Sequence, residues 1–338
     1  MKPSLPLLAT TGVGSFPKPN YVTESRGHLD SNNRKALGEF ILQQEAIGVD
    51  VLVDGEFYRG DMATDYARAL GLPIADWTRS YDNRFWKKGI VDRALERKAP
   101  MQLEQFKCAQ SLTCRPVKAM LSGPTTLANW NFDGYYGERK KLIRAWAHII
   151  REEARDLEKA GAKFIQIDEP AIAERYWEED LFREGLEIIT RGLKQATYTI
   201  THICYGNFSL VYRRLRNLPV DQVDIELSNE LDLGVKRSEF LGMMKKQPLT
   251  RYKDVGVGVI DVRPGVPVET MDTVVRRIHT ALAVFAPNKK LLQRVWIKPD
   301  CGFRTTKDPQ TAYKKMEVMM QAVRVVRREL GETPITRK

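Results

Sequence analysis

The sequence predicts a (β/α)8 barrel, and three observations carry that reading. Short β-branched or apolar runs recur eight times; most of them are followed by an amphipathic helix; and no Gly/Ser-rich linker divides the 338 residues. Strands alternating with helices over about 300 residues favour a closed parallel barrel, with a doubly wound open sheet as the alternative.

The strand candidates are residues 8–15, 49–55, 116–123, 163–169, 197–204, 222–228, 254–261 and 294–300. The helices between them are legible. Residues 140–161 carry Ile143, Ala147, Ile150, Ala154 and Leu157 at helical spacing and stop at Gly161. Residues 268–285 repeat the pattern with Met271, Val275, Ile278, Leu282 and Phe285, and end before Pro287. A last helix opens with Asp308 as N-cap and Pro309 at its first position. The interval 61–115, between the second and third strands, is rich in charge and aromatics. It reads as a helical insertion with loops, so that residues 1–338 form a single barrel domain.

Apolar residues make up 43% of the chain and charged residues 29%, a soluble globular composition. No run approaches the roughly 18–20 apolar residues of a membrane helix. The start, "MKPSLPLLATTGVGSF", makes a poor signal peptide and a better first strand, which points to the cytoplasm. Four cysteines in such a chain argue against a disulfide framework and for metal or catalytic roles. The formal charge of +11 raises nucleic acid as a partner. The basic residues, however, lie in short helical groups such as "RRLR" at 213–216, with no nucleic-acid motif. We read them as solvated outer helix faces and expect neither a nucleic-acid nor a membrane partner. There is no Walker motif and no G-x-S-x-G elbow; "TGVGSF" lacks the third glycine of a dinucleotide fingerprint, and "GVGV" at 256–259 lies inside a strand.

A barrel places function at the C-terminal strand ends. There stand Ser15, Glu56, the stretch "SGPTTLANW", Asp168 with Glu169, His202 with Cys204, Glu226, Asp261 and Cys301. His202 and Cys204 are one residue apart, in a chain with four His and four Cys, so a strand puts both on one face. A metal reading takes His202, Cys204, Glu226 and Cys301 as four N, S and O ligands suited to Zn²⁺. The competing reading makes the two cysteines small buried hydrophobes and His202 a hydrogen-bonded core residue. Asp224 is a rival carboxylate on the strand face of Glu226. Cys108 and Cys114 match no ordinary zinc spacing, His148 and His279 read as structural, and His28 in its polar loop admits either role.

The segments "TTGVGSFPKP", "DVLVDGE", "SGPTTLANW", "IQIDEPA", "THICYGNF", "DIELSNE" and "KPDCGFRT" together resemble the catalytic C-terminal barrel of cobalamin-independent methionine synthase, from Thr10 to Thr305. The resemblance implies zinc on His202, Cys204, Glu226 and Cys301, with homocysteine as methyl acceptor. It implies that Ser15, Glu56 and Asp168 hold the amino acid's carboxylate and amine. The chemistry agrees: coordination deprotonates an alkyl thiol, and Glu56, Asp168 and Glu169 suit an ammonium group. Trp130 matches the family's aromatic near the folate site.

One departure bears on the donor. In "GVIDVRPG", Arg263, two residues after Asp261, stands where the folate-dependent enzymes carry a His that protonates the leaving nitrogen. A guanidinium stays protonated and is a poor proton donor. A methyl-corrinoid leaves as Co(I) and needs no proton, and short members of the family are associated with corrinoid-protein donors. The expected donor is therefore a methylcobamide on a corrinoid carrier protein, with 5-methyltetrahydrofolate as the alternative and Trp130, Asp261 and Arg263 around it. The competing functions are a zinc thiol alkyltransferase of the coenzyme M/epoxide type and a basic binding barrel without catalysis.

Overall fold

The computed structural model describes residues 4–23, 27–79, 85–204, 206 and 208–332. The first barrel position, residues 10–15, is followed by α1 (Ser31–Ile47). Asp30 caps α1 by accepting from the Asn33 N–H, and Gly48 closes it at φ 98°. The second position, residues 51–55, leads to α2 (Thr64–Ala69), the hairpin β1 (Ile74–Arg79) and β2 (Phe85–Val91), and α3 (Leu103–Ser111). Then come β3 (Lys118–Ser122), α4 (Pro124–Asn129), the short β4 (Phe132–Asp133) and α5 (Arg139–Lys159). The alternation continues through β5 (Phe164–Asp168), α6 (Ala171–Glu174), α7 (Glu179–Thr190), β6 (Tyr198–Ile203), α8 (Tyr212–Leu215) and β7 (Gln222–Ile225). It ends with α9 (Ser228–Leu233), α10 (Glu239–Lys246), β8 (Asp254–Ile260), α11 (Met271–Phe285), β9 (Val295–Pro299) and α12 (Pro309–Glu329).

Six strands form a parallel sheet in the order β3-β5-β6-β7-β8-β9. The first two barrel positions close it through single bridges: Thr10 with Ile297, Thr11 with Val51, and Leu52 with Val117. The N–H groups of Ile297, Val51, Leu52 and Lys118 donate across these seams at 2.8–3.0 Å. The expected eight-position barrel is thus present, with two of its members reduced to isolated bridges. At the first seam Asp50 accepts from both the N–H and the hydroxyl of Thr10, so a side chain stands in for part of the ladder.

The interval 61–115 holds the expected helices, α2 and α3, and adds the hairpin β1–β2, which β4 extends in parallel. Residues 80–84 of that interval lie outside the described residues.

Alternation along the strands builds the barrel interior in layers. At the N-terminal end, Phe164, Tyr198 and Trp296 pack with ring centroids 5.5–5.8 Å apart. They bury with Ala9, Val51 and Ile200 as a plug. Next to this plug the interior turns polar, with Lys118, Gln166, Gln222, Asp224 and Lys298 all fully buried. Beyond it lie the strand ends that carry the site. Outside, helices bury one stripe each: in α5 this is Leu142, Ile143, Trp146, Ala147, Ile149, Ile150, Ala154 and Leu157. Each large apolar side chain so buried contributes about 1.5–3 kcal/mol. No helix among the described residues is long and apolar enough to cross a membrane.

Candidate metal centre and substrate pocket

His202 sits on β6 and Cys204 just past its end; Cys301 follows β9. Their ligand atoms all lie within 4.8 Å of one another. The two sulfurs are 3.5 Å apart. Tetrahedral zinc would hold two thiolates about 3.8 Å apart, from Zn–S bonds of about 2.3 Å. His202 is 2% exposed, yet neither ring nitrogen has a hydrogen-bond partner among the described residues. A buried imidazole left without partners is costly as a core residue and well suited as a ligand. Burial, then the Lys298 and Lys118 charges, hold its pKa well below the usual histidine range, so the ring is neutral and keeps a lone pair. The Cys204 thiol is pushed up by its contact with Cys301 and by burial. The donor set therefore fits zinc, which would supply the positive charge these thiols need in order to ionise.

Glu226, the fourth expected ligand, is outside this three-residue group. It follows β7 and lines a cavity of about 650 Å³ with Gly206, Phe208, Ser228, Asn229 and Phe240. Its charge nonetheless contributes to raising both Cys204 and Asp300. The rival Asp224 is fully buried one layer below, paired with His202 across the β6–β7 ladder and bonded by Gln222 at 2.6 Å.

Ser15, Glu56 and Asp168 stand at the ends of the first, second and fourth barrel positions, and Asp168 is the register partner of His202 on the adjacent strand. Gly302 backs directly onto the Ser15 hydroxyl, and Gly14 leaves room that a Cβ would fill to within 2.8 Å of a Glu56 oxygen. Glu56 holds φ 53°, a left-handed conformation rare outside glycine. Burial, then the Glu56 charge, push Asp168 up to about 7, although Gln166 donates to it at 2.6 Å. Asp168 is thus poised to gain from a nearby cation, while the Glu56 carboxylate already accepts from Arg59.

The neighbouring Glu169 plays a different part. Its carboxylate accepts from the N–H of Thr125 at 2.9 Å, the N–H of Thr126 at 2.7 Å and the Thr126 hydroxyl at 2.7 Å. It caps α4 and is not available to a substrate ammonium, contrary to the expectation that grouped it with Asp168. Trp130 ends α4 and packs on Trp86 of the hairpin, centroids 5.0 Å apart. At the seventh position the Arg263 guanidinium is fixed on Asp261 by two bonds of 3.0 Å and reaches Asn229 at 3.0 Å. His28 lines a separate cavity of about 550 Å³ with Tyr58, Arg59 and Asp65.

Two positioning groups escape the sequence reading. Arg59 donates to Glu56 at 2.9 Å and to the Ser122 hydroxyl at 3.0 Å, and is 2% exposed. Its spacing three residues after Glu56 was the available signal. Asp300, beside Cys301, accepts from the N–H of Leu227 at 3.0 Å, the N–H of Ser228 at 3.1 Å and the Ser228 hydroxyl.

Residues 8–325 match the family described as "Cobalamin-independent synthase, Catalytic domain". The chain belongs to the cobalamin-independent methionine synthase family. It is 34% identical to the 5-methyltetrahydropteroyltriglutamate–homocysteine methyltransferase of Thermosynechococcus vestitus, over 98% of this chain and 45% of that protein. It is 33% identical to a methionine synthase of Saccharolobus solfataricus, over 96% of this chain and 97% of that protein. The chain thus spans about half the length of the long relatives and nearly all of a short one. In structure it is similar to a B12-independent methionine synthase from Shewanella sp. W3-18-1 in complex with selenomethionine, with TM-score 0.83 and 25% identity over 97% of this chain and 100% of that one.

These relationships overturn one expectation. A family that is cobalamin-independent, with a relative named for a pteroyltriglutamate substrate, contradicts the methylcobamide donor and gives no support to a corrinoid carrier protein. The error lay in reasoning from Arg263 alone. The guanidinium is held by Asp261 and Asn229 and is half exposed. Its presence shows that this residue is not the acid, and says nothing about whether a proton is delivered from elsewhere.

Proposed function

We propose that this protein is a zinc-dependent methyltransferase that makes methionine by moving a methyl group from a 5-methyltetrahydropteroylglutamate to homocysteine. The observation that carries the reading is the cluster of His202, Cys204 and Cys301, its neutral imidazole without a partner among the described residues, beside the buried acids Asp168 and Glu56. His202, Cys204 and Cys301 would hold the zinc, with Glu226 as the carboxylate nearest to complete the set. Bound there, zinc would lower the pKa of the substrate thiol so that it reacts as a thiolate.

The chain's own residues do the rest. Asp168, ionised by the arriving ammonium, and Glu56 bind the amino group. Arg59 fixes the Glu56 carboxylate, and Ser15 donates to the substrate carboxylate. Such a pocket favours an α-amino thiol and disfavours a sulfonate such as coenzyme M. Trp130 offers a flat face to the donor's ring system. The departing folate nitrogen needs a proton, which comes from a group other than Arg263.

The test is a methyl-transfer assay with zinc-loaded protein, homocysteine and 5-methyltetrahydropteroyltriglutamate. Methionine should form, and 2-mercaptoethanesulfonate should not replace homocysteine. Absence of methionine from fully zinc-loaded, folded protein would sink the proposal.

A further inference from the structure

The cavity with His28 in its wall is separate from the metal centre. Its volume, about 550 Å³, lies within the range of small-molecule pockets. Three stretches that follow the first and second barrel positions wall it: residues 27–28, residues of 58–69, and residues of 99–105 at the start of α3. Hydrogen bonds hold these walls together. The Gly27 N–H donates to the Tyr58 carbonyl at 3.0 Å, and the Gln105 amide of α3 donates to the Gly27 carbonyl at 2.6 Å. The Gln102 amide donates to the Tyr66 hydroxyl at 2.7 Å, and that hydroxyl also accepts from the Ser122 N–H at the end of β3.

Two side chains of the wall are buried and incomplete. Arg59 is 2% exposed and Gln105 3%. The Arg59 Nε–H has no acceptor, and the Gln105 Oε1 no donor, among the described residues. Buried polar atoms are rarely left so, and the cavity that both side chains line is where a partner could stand. The carboxylates and guanidinium groups of the wall, by contrast, are paired. Arg59 holds Glu56, Arg68 holds Asp65 at 3.1 Å, and Glu104 is bound by Arg34. Ala69, Pro100 and Met101 add an apolar part to the lining.

We propose that this cavity is a second ligand site, for an α-amino acid with an apolar side chain. The wall lacks one acceptor and one donor. A zwitterion supplies both: its carboxylate accepts from the Arg59 Nε–H, and its ammonium donates to the Gln105 Oε1. Paired wall charges favour a ligand of zero net charge over an anion or a cation. The side chain lies along Ala69, Pro100 and Met101. Methionine, the product of the reaction, has this chemistry, and its choice as the occupant rests on the function proposed above. Arg59 then serves two ligands, holding Glu56 for one and its Nε–H for the other.

The experiment locates binding by position rather than by turnover. Zinc-loaded protein is irradiated with a diazirine analogue of methionine, with and without excess methionine, and the labelled peptides are mapped in wild type, Gln105→Leu and Ala69→Trp. The first variant removes the acceptor; the second fills the cavity from an exposed wall position. In wild type, label that methionine displaces should appear within residues 99–105. Each variant should lower it about 10-fold, as expected when a charge-assisted bond or the space for the ligand is lost. Label near Ser15 or Asp168 should stay, which also shows that the variants are folded. No displaceable label within 99–105 in the wild type, or undiminished label there in both variants, overturns the site. Label within 99–105 with none at the mouth would count against the homocysteine pocket and leave this site standing; label at the mouth alone would do the reverse.

Discussion

His202 shows how one residue can be both buried and unfinished. Its ring is neutral and shielded from water, and neither nitrogen finds a partner among the described residues. A metal would complete it. Cys204→Ser should therefore lower bound zinc well below the about one ion per chain expected of the wild type, measured by metal analysis on folded protein. A chelator should lower the wild-type Tm and leave that of Cys204→Ser nearly unchanged, because a ligand stabilises only the state that binds it. Asp168 offers a second test. Asp168→Asn should weaken homocysteine binding by about 1–3 kcal/mol, read by calorimetry, as a charge-assisted bond is lost. The strand-end residues Ser15, Glu56, Asp168, His202, Cys204 and Cys301 were legible because chemistry-bearing types recur where a barrel puts its mouth. Arg59 was not. An arginine in a loop reads as solvated until the fold buries it against Glu56.

At the scale of elements, two buried carboxylates tie different barrel positions together, Glu169 the adjacent pair β5 and β3, Asp300 the pair β9 and β7 on either side of β8. Glu169, after β5, caps α4 behind β3; Asp300, after β9, holds the turn behind β7 that carries Glu226. Asp300 thereby fixes the Glu226 turn relative to Cys301, so Asp300→Asn should weaken zinc affinity by about 10–100-fold, measured by competition with a chelator. Gly258 of β8 belongs to the same arrangement, because a Cβ there would run into Asp300. The "GVGV" pattern, uninformative as a phosphate motif, is thus a demand for close approach. Glu169 predicts a pH effect. Burial raises its carboxyl from 4.5 to about 7 in the fold. The folded state then binds more protons than the unfolded one between about 4.5 and 7, so this group makes stability fall as pH rises through that window. Glu169→Gln should flatten that part of the stability–pH curve, measured by urea unfolding of metal-free protein. α12 was read correctly to its first residue, since its cap is local: Asp308 accepts from the Thr311 N–H at 2.7 Å with Pro309 behind it. The hairpin β1–β2 was missed because neither of its runs, "IADWTR" and "FWKKGIV", shows a clear apolar–polar alternation of period two.

Over the whole molecule, alternation with period two does most of the work. Phe164, Gln166 and Asp168 on β5, or Tyr198, Ile200, His202 and Cys204 through β6, carry one line of residues from the plug to the mouth. The sequence by itself determined this: the eight strand positions, their order, and the ends at which function would lie, because strand and helix periods and caps are encoded locally. Only the tertiary structure decided which of those residues meet. It brought His202, Cys204 and Cys301 together from strands far apart in the chain, left Glu226 on the cavity wall, and divided Asp168 from Glu169 by giving one to the mouth and the other to α4. It also turned Arg263 onto Asp261, where a single residue type had suggested the wrong donor. The physical reason is the same in each case. A residue's type sets what it can bond, but burial and the distances that closure imposes decide which of its bonds are made.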